Sequence, residues 1–511
     1  MRSSALARAA ISVFAMTSAA CAAASGPPKC PVEGGATWRE IESEHFRLVT
    51  DLDPEVATGE LDRFERSYDA MVQAAFPRGA TGRTRLVVFR TIDELHSFAP
   101  NAVAGYFIDG WAMEDDETGT AVFAGGLREE SRAVFQHELA HRLLAAGFAN
   151  VPPWFSEGLA TYFESMRVEG DRVILGDWSR PYGIRVPPVG RLMALDRDGF
   201  YLGAQRHDLD DETKKQVYLR YVAAWHLVHL LRNGPDSIRD NFRRVVTTVN
   251  DGGAFEPAFR AFVRDVGEKE LDDAYFAHSL DRERLSSVFA YAPSSPGARP
   301  KARNLSPDET HVLFAKVLLA GPTPKRALPE ADEAVRHAPR SMEARLARAY
   351  VLLATGDVPS ATKEFAALVD EDPKHAAALT GLLHGLLDTR KTALEGSDAQ
   401  RVAELAGQLA DVATTADDQA AAMAALAMSG NFDRALALSE VAARAHPTSF
   451  RILAYRARVL AHAGHYRDAT ASMRRALEVM SERRARGPEG RALAKLLAEY
   501  RAAAEREEPA K

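Results

Sequence analysis

Residues of one type recur at a fixed interval in the C-terminal part of the chain, and that interval constrains the fold more than any other feature. Pro339 and Pro373 stand 34 residues apart, as do Ala327 and Ala361, Gly430 and Gly464, and Ala435 and Ala469. A repeat of about this length holds a helix, a turn and a returning helix, and it cannot bury its apolar face alone. Copies must therefore stack, and stacking creates both a continuous core and a concave groove. Met342 to His375 fits best, with Gly356 at the turn, Ala361 and Phe365 in the second helix and Pro373 at its end. Residues 416–449 and 450–483 read as contiguous further copies, and 376–415 as a longer, degenerate one. A generic helical bundle is the competing reading. Arg484 onward reads as a capping helix and a charged tail, with 308–500 as the helical domain and 501–511 as the tail.

A second stretch carries chemistry. His137-Glu138-Leu139-Ala140-His141 lies within residues 131–146, a predicted helix with Ala133, Val134, Leu139, Ala140, Leu143 and Leu144 at its apolar positions and Gly147 as its stop. Residues four apart share a helix face, so His137 and His141 can aim two imidazoles at one point. Zinc accepts neutral imidazole, and a catalytic zinc commonly takes three protein ligands and keeps one position for water. Glu138, one position round, is then a general base and later a general acid. Two surface histidines on an ordinary helix remain the bland alternative.

The next helix narrows that choice. After Pro152-Pro153 comes Trp154-Phe155-Ser156-Glu157-Gly158-Leu159-Ala160-Thr161-Tyr162, so Glu157 follows His141 by sixteen residues. A helix, a turn and a returning helix bring Glu157 back toward the first helix. Gly158 allows close backbone approach. A glutamate among Trp154, Phe155, Leu159 and Ala160 needs a partner if it is buried, and a zinc ion is one.

These residues together resemble the gluzincin metallopeptidases, and within them the bacterial peptidase-MA-like group, whose members often carry tetratricopeptide repeats behind the catalytic domain. The resemblance spans about residues 37 to 285, with only the two helices sharply matched. It implies a zinc (Zn2+) held by His137, His141 and Glu157, with Glu138 as catalytic base. It also implies that main chain near Thr120 to Ala124 forms a cleft-lining edge strand that pairs with extended peptide. An ordinary buried hairpin is the alternative there. In residues 214–231 the order of Tyr, Trp and a Val-His pair is similar to the helix that follows the zinc site in this group. The resemblance makes Tyr221 the oxyanion-stabilising candidate, with Tyr218 and His226 behind it. An aromatic core stripe explains the same spacing.

The chain start reads as an export signal over residues 1–24: Arg2 and Arg8, then the apolar run Ala9 to Ala20, then small residues at Ala22-Ala23-Ala24. Ser18-Ala19-Ala20-Cys21 resembles a bacterial lipobox, with Ser18 in place of the usual Leu, so lipidation at Cys21 and ordinary cleavage both stay open. A spacer follows at 25–36. Trp38 opens a domain at 37–290, with strands expected near 45–50 and 85–91, an amphipathic helix carrying Leu61, Phe64, Tyr68, Met71 and Ala75, and a hairpin turning at Gly170. Residues 291–307, with Pro293, Pro296, Pro300 and Pro307, read as a linker.

The 511 residues, 46% hydrophobic and 26% charged, suffice for several well-cored domains. A net charge of −7 supplies no general case for binding nucleic acid. With only Cys21 and Cys30, no cysteine stands near the zinc motif. The expectation is an α+β zincin-like catalytic domain followed by an all-α tetratricopeptide solenoid. It would be exported from a bacterial cell, and be periplasmic, lipid-anchored or secreted. It would hydrolyse a peptide or protein substrate with zinc-activated water, while the repeats bind a protein partner. The rival expectation is an inactive zincin-like scaffold whose repeats bind that partner.

Overall fold

The computed structural model describes residues 29–76, 79–80, 82–98, 105–108, 120–124, 129–147, 151–176, 186–202, 210–251, 255–281, 286–293, 300–320, 324–388, 394, 396–447, 449–480 and 488–506. The export signal with Cys21 and the end of the charged tail lie outside them. The chain forms two compact units. Unit 1 includes Trp38–Phe107 and Thr120–Arg303, and unit 2 includes Asn304–Lys511 with Pro28–Thr37.

Unit 1 combines two sheets with a set of helices. Its elements begin β1 (Arg39–Glu42), β2 (Phe46–Thr50), α1 (Pro54–Ala75), β3 (Thr84–Phe89), α2 (Ile92–Phe98), β4 (Gly105–Ile108) and β5 (Thr120–Ala124). There follow α3 (Glu129–Gly147), α4 (Pro153–Glu164), β6 (Arg167–Glu169), β7 (Arg172–Leu175), α5 (Val189–Met193) and α6 (Arg197–Tyr201). The remainder is α7 (Asp211–Asn233), α8 (Asp236–Asn250), α9 (Phe255–Val266), α10 (Glu268–Leu280), β8 (Ser287–Ala290) and β9 (Lys301–Asn304).

The larger sheet has the order β4-β5-β3-β2-β1-β9. β3 runs parallel to both β2 and β5, and every β3 residue is buried, which explains its unbroken apolar run Leu86-Val87-Val88-Phe89. β5 is buried throughout and has a neighbour on each side. The expectation that Thr120 to Ala124 offers an edge to substrate is therefore corrected. Both of its hydrogen-bonding edges are taken, and β4 is the outer strand.

Two further corrections come from strand pairing and packing. Residues 291–307 are more than a linker: Tyr291 is buried and β9 extends the sheet beyond β1, with Arg303 ion-paired to Glu40 at 3.1 Å. Within the 25–36 spacer, the described residues from Lys29 on also pack. Cys30 is fully buried in unit 2, its Sγ is 3.7 Å from the Pro307 carbonyl, and burial pushes its thiol pKa up.

Unit 2 is an all-α array of helix pairs: α11 (Pro307–Ala320) with α12 (Ala327–His337), α13 (Met342–Thr355) with α14 (Val358–Glu371), and α15 (Ala376–Asp388) with α16 (Gly396–Val412). It continues with α17 (Ala416–Met428) and α18 (Phe432–Ala445), α19 (Phe450–His462) and α20 (Tyr466–Val479), and ends in α21 (Pro488–Arg506). Within the stack α11 also packs on α13, α13 on α15, α15 on α17 and α17 on α19. This is the contact pattern of a solenoid. The spaced alanines explain the period physically. Ala327, Ala361, Ala435 and Ala469 are each fully buried, so the interval marks small side chains sealed inside the stack. Gly356, Gly430 and Gly464 end the first helix of three pairs with φ of 96°, 83° and 82°, a left-handed conformation that glycine adopts without a Cβ penalty.

Candidate metal centre

Helix α3 divides its faces by the 3.6-residue period. Phe135, Leu139 and Leu143 are buried on one side, and Phe135 meets Phe64 of α1 edge-on at 4.4 Å. His137 and His141 fall on the opposite side and are half-buried, because the turn separating them from Phe135 is about 200° and 240° at 100° per residue. The apolar stripe thus anchors the helix while the histidines face α4.

Helix α4 begins at Pro153, where a missing N–H costs nothing. It is buried nearly all round, lying between α3 and α7. Trp154 and Phe155 hold it against α9 through Phe259 at 5.0 Å and Phe255 at 4.4 Å. Burying aromatic side chains of this size is worth about 1.5–3 kcal/mol each. Gly158 does permit a close approach, but to α7 rather than to α3. A Cβ there would lie 2.6 Å from the Ala224 carbonyl oxygen and 2.8 Å from Val228.

This packing brings the three predicted ligands together. His137 Nε2 and His141 Nε2 are 3.0 Å apart, and Glu157 Oε2 lies 3.4 Å and 3.6 Å from them. Donors arranged tetrahedrally at zinc bond lengths of about 2.0–2.1 Å stand about 3.3 Å apart, so the triangle has the right size. Glu157 is 5% exposed, and its Oε2 has no hydrogen-bond partner among the described residues. A buried carboxylate oxygen left in that state is costly unless a cation joins it.

The outer faces of all three ligands are engaged. His137 Nδ1 donates to Glu164 Oε1 at 2.8 Å, since a carboxylate only accepts, and this leaves the Nε2 lone pair for a metal. His141 Nδ1 is 3.0 Å from Ser156 Oγ. The Tyr201 hydroxyl donates to Glu157 Oε1. Burial alone would raise the Glu157 pKa, but the neighbouring His141 and His137 hold it well below the usual carboxylate range. Burial would lower the His137 pKa, and the neighbouring Glu157 and Glu164 carboxylates lift it well above its ordinary value. A site that favours a protonated imidazole beside an ionised carboxylate also favours a divalent cation, and metal and proton compete for the same nitrogen.

Sequence reasoning missed Glu164, Ser156 and Tyr201. Glu164 had a legible signal, since it follows Glu157 by two helical turns on one face. Tyr201 had none, because it lies in a Pro- and Gly-punctuated stretch without period. Glu138 is half-buried on α3 beside His137. Tyr221 is half-buried on α7 near Phe200 and Tyr201, with ring centroids 5.6 Å and 6.4 Å away. Its hydroxyl pKa is pushed well up, first by burial and then by the Glu157 charge. Tyr218 is half-buried. His226 is fully buried with its ring 5.0 Å from that of Trp225, so it belongs to the α7 core.

No helix among the described residues is long and apolar enough to cross a membrane. No protein-family model and no curated protein matches the chain. Among solved structures, the chain is similar to a thermophilic TPR protein from Thermus thermophilus, at 18% identity and a TM-score of 0.32, covering 38% of this chain and 99% of that one. It is similar to YrrB, described as a TPR protein with an unusual peptide-binding site, at 14% identity and a TM-score of 0.28, covering 37% and 90%. A tetratricopeptide repeat protein from Parabacteroides merdae matches at 13% identity and a TM-score of 0.29, covering 52% of this chain and 100% of that one.

Proposed function

We propose that unit 1 is a zinc-dependent hydrolase of peptide bonds and that unit 2 binds a protein partner or the substrate itself. One observation carries the reading: the donor atoms of His137, His141 and Glu157 stand 3.0–3.6 Å apart around a buried carboxylate oxygen without a hydrogen-bond partner among the described residues. His137, His141 and Glu157 would hold the ion. A zinc ion bound there supplies Lewis acidity toward a carbonyl and makes water more acidic. Glu138 takes a proton from the attacking water and returns it to the leaving amine. Glu164 and Ser156 keep the two imidazoles in orientation, and Tyr201 does the same for Glu157. Tyr221 is the group assigned to the substrate carbonyl oxygen. Export, with Cys21 as a lipid-anchoring point or cleaved away, belongs to the same proposal.

A second reading has its own support. The Tyr201 hydroxyl is committed to Glu157, and the charge of the same carboxylate acts on Tyr221, which suits a metal-holding scaffold whose repeats bind a partner. Metal analysis of the purified chain alongside a peptide-library cleavage assay separates the two. Zinc that His137→Ala with His141→Ala removes supports the hydrolase when it comes with cleavage and the scaffold when it does not, and no such zinc overturns both.

A further inference from the structure

We infer that His311, Glu333 and His337 form a second divalent-metal site, which pins together the first helix pair of unit 2. Glu333 and His337 are four residues apart on α12 and so share a face, while His311 comes from α11. One donor atom from each of the three lies within 4.8 Å of the others. The two imidazole rings are nearly parallel, 12° apart in plane, with centroids 5.4 Å apart.

His311 points to a ligand most directly. It is 2% exposed, its Nδ1 is 2.8 Å from Glu330 Oε2, and its Nε2 is buried with no hydrogen-bond partner among the described residues. A carboxylate accepts, so Nδ1 carries the proton and Nε2 keeps its lone pair. This carboxylate–imidazole pairing is the arrangement that orients a metal-binding histidine and raises its basicity. A buried ring that commits one nitrogen to a carboxylate and leaves the other bare is unfavourable as pure structure and well prepared as a ligand.

The donor set selects the ion. Two imidazoles and a carboxylate suit zinc or a neighbouring transition ion, whereas calcium and magnesium prefer an all-oxygen shell. One cation already touches the cluster: Arg336 is ion-paired with Glu333 and stands 3.4 Å from His337 Nε2. Its side chain is 62% exposed and that of Glu333 37%, so the guanidinium can turn to solvent when a metal arrives. Exposed pairs of this kind hold weakly.

The test uses the full-length chain, dialysed against zinc chloride, with metal content and circular dichroism measured together. The wild type should hold two zinc ions per chain. The double variant Glu333→Gln, His337→Gln should stay folded and hold one fewer, because both side chains are partly solvent-facing. His137→Ala with His141→Ala should leave one ion that the Glu333 and His337 substitutions then remove. Glu330→Gln should weaken that ion's affinity about 10–100-fold through the lost partner of His311 Nδ1. A folded Glu333→Gln, His337→Gln protein with unchanged zinc content overturns the proposal, as does a folded His137→Ala, His141→Ala protein that holds none. If unit 1 binds no zinc, the wild-type count falls to one and still depends on Glu333 and His337, so the two assignments fail separately.

Discussion

In unit 1 the donor atoms of His137, His141 and Glu157 stand 3.0–3.6 Å apart, whereas those of His311, Glu333 and His337 in unit 2 are gathered only to within 4.8 Å. The residue types are the same and the supports differ. Each candidate ligand in unit 1 is held from behind by a second side chain, from Glu164, Ser156 or Tyr201. In unit 2 His311 is held by Glu330, while Glu333 is committed to Arg336. The carboxylate in unit 1 is buried and has one oxygen without a hydrogen-bond partner among the described residues, and the one in unit 2 is partly solvated and ion-paired. Pre-organisation, more than the identity of the donors, should therefore separate the two sites in affinity, with unit 1 the tighter.

The sharpest way to break this comparison is to delete the carboxylate. Glu157→Ala should abolish both zinc binding at the unit 1 site and any hydrolysis, and Glu157→Ala protein with full zinc occupancy by metal analysis would show the third ligand to be wrong. Glu138→Gln should keep zinc and fold while slowing hydrolysis at least about 10²-fold, the lower end of what a positioned proton carrier contributes. Equal rates for Glu138→Gln and wild type in a peptide-cleavage assay would remove Glu138 from the chemistry. Glu164→Gln tests the support: it should weaken unit 1 zinc affinity about 10–100-fold in a competition titration, with no effect on an ion bound at His311.

Two glycines sharpen the contrast at the level of the backbone. Gly158→Ala should destabilise unit 1 by about 1–3 kcal/mol, because the new methyl meets a helix backbone that must shift. Gly356→Ala should cost unit 2 about 1–2 kcal/mol for another reason: space there is open, but φ is 96°. Denaturation of each variant checks both values, and loss of zinc only in Gly158→Ala would tie the α4–α7 approach to the site.

The smallest effect concerns pH and unit 1 alone. Burial, then the nearby Glu94, raises the Asp51 pKa from 3.8 to about 6. The folded chain thus holds a proton that the unfolded chain has released, so stability falls as pH rises between about 4 and 6. The shift corresponds to a ceiling of about 3 kcal/mol at 1.36 kcal/mol per pKa unit, and loss of the Arg90 attraction reduces it. Asp51→Asn should gain roughly 1 kcal/mol at pH 7 and nothing below pH 4. Denaturation at the two pH values measures this, and an equal gain at both would show that ionisation is not the cause.

Much of the architecture was legible because it is periodic. The amphipathic helix predicted from Leu61, Phe64, Tyr68 and Met71 forms as Pro54–Ala75 with those four side chains buried, and the 34-residue interval marks buried alanines. Strands resisted where pairing decides. β9 carries Lys301-Ala302-Arg303-Asn304, all exposed, with no alternation to read, and it is a strand because β1 offers it a free edge. β5 reads as a strand from its composition, but its place inside the sheet depends on β4 and β3.

The sequence by itself determined which residues share a helix face: His137 with His141, Glu157 with Glu164, and Glu333 with His337. That follows from 3.6 residues per turn and needs no partner. The tertiary structure alone decided that the α4 face meets the α3 face, that Tyr201 reaches Glu157, and that His311 comes to Glu333 and His337. Those meetings join residues up to 44 apart in the chain. They rest on how whole helices pack against one another, and local periodicity carries no information about what a face will touch.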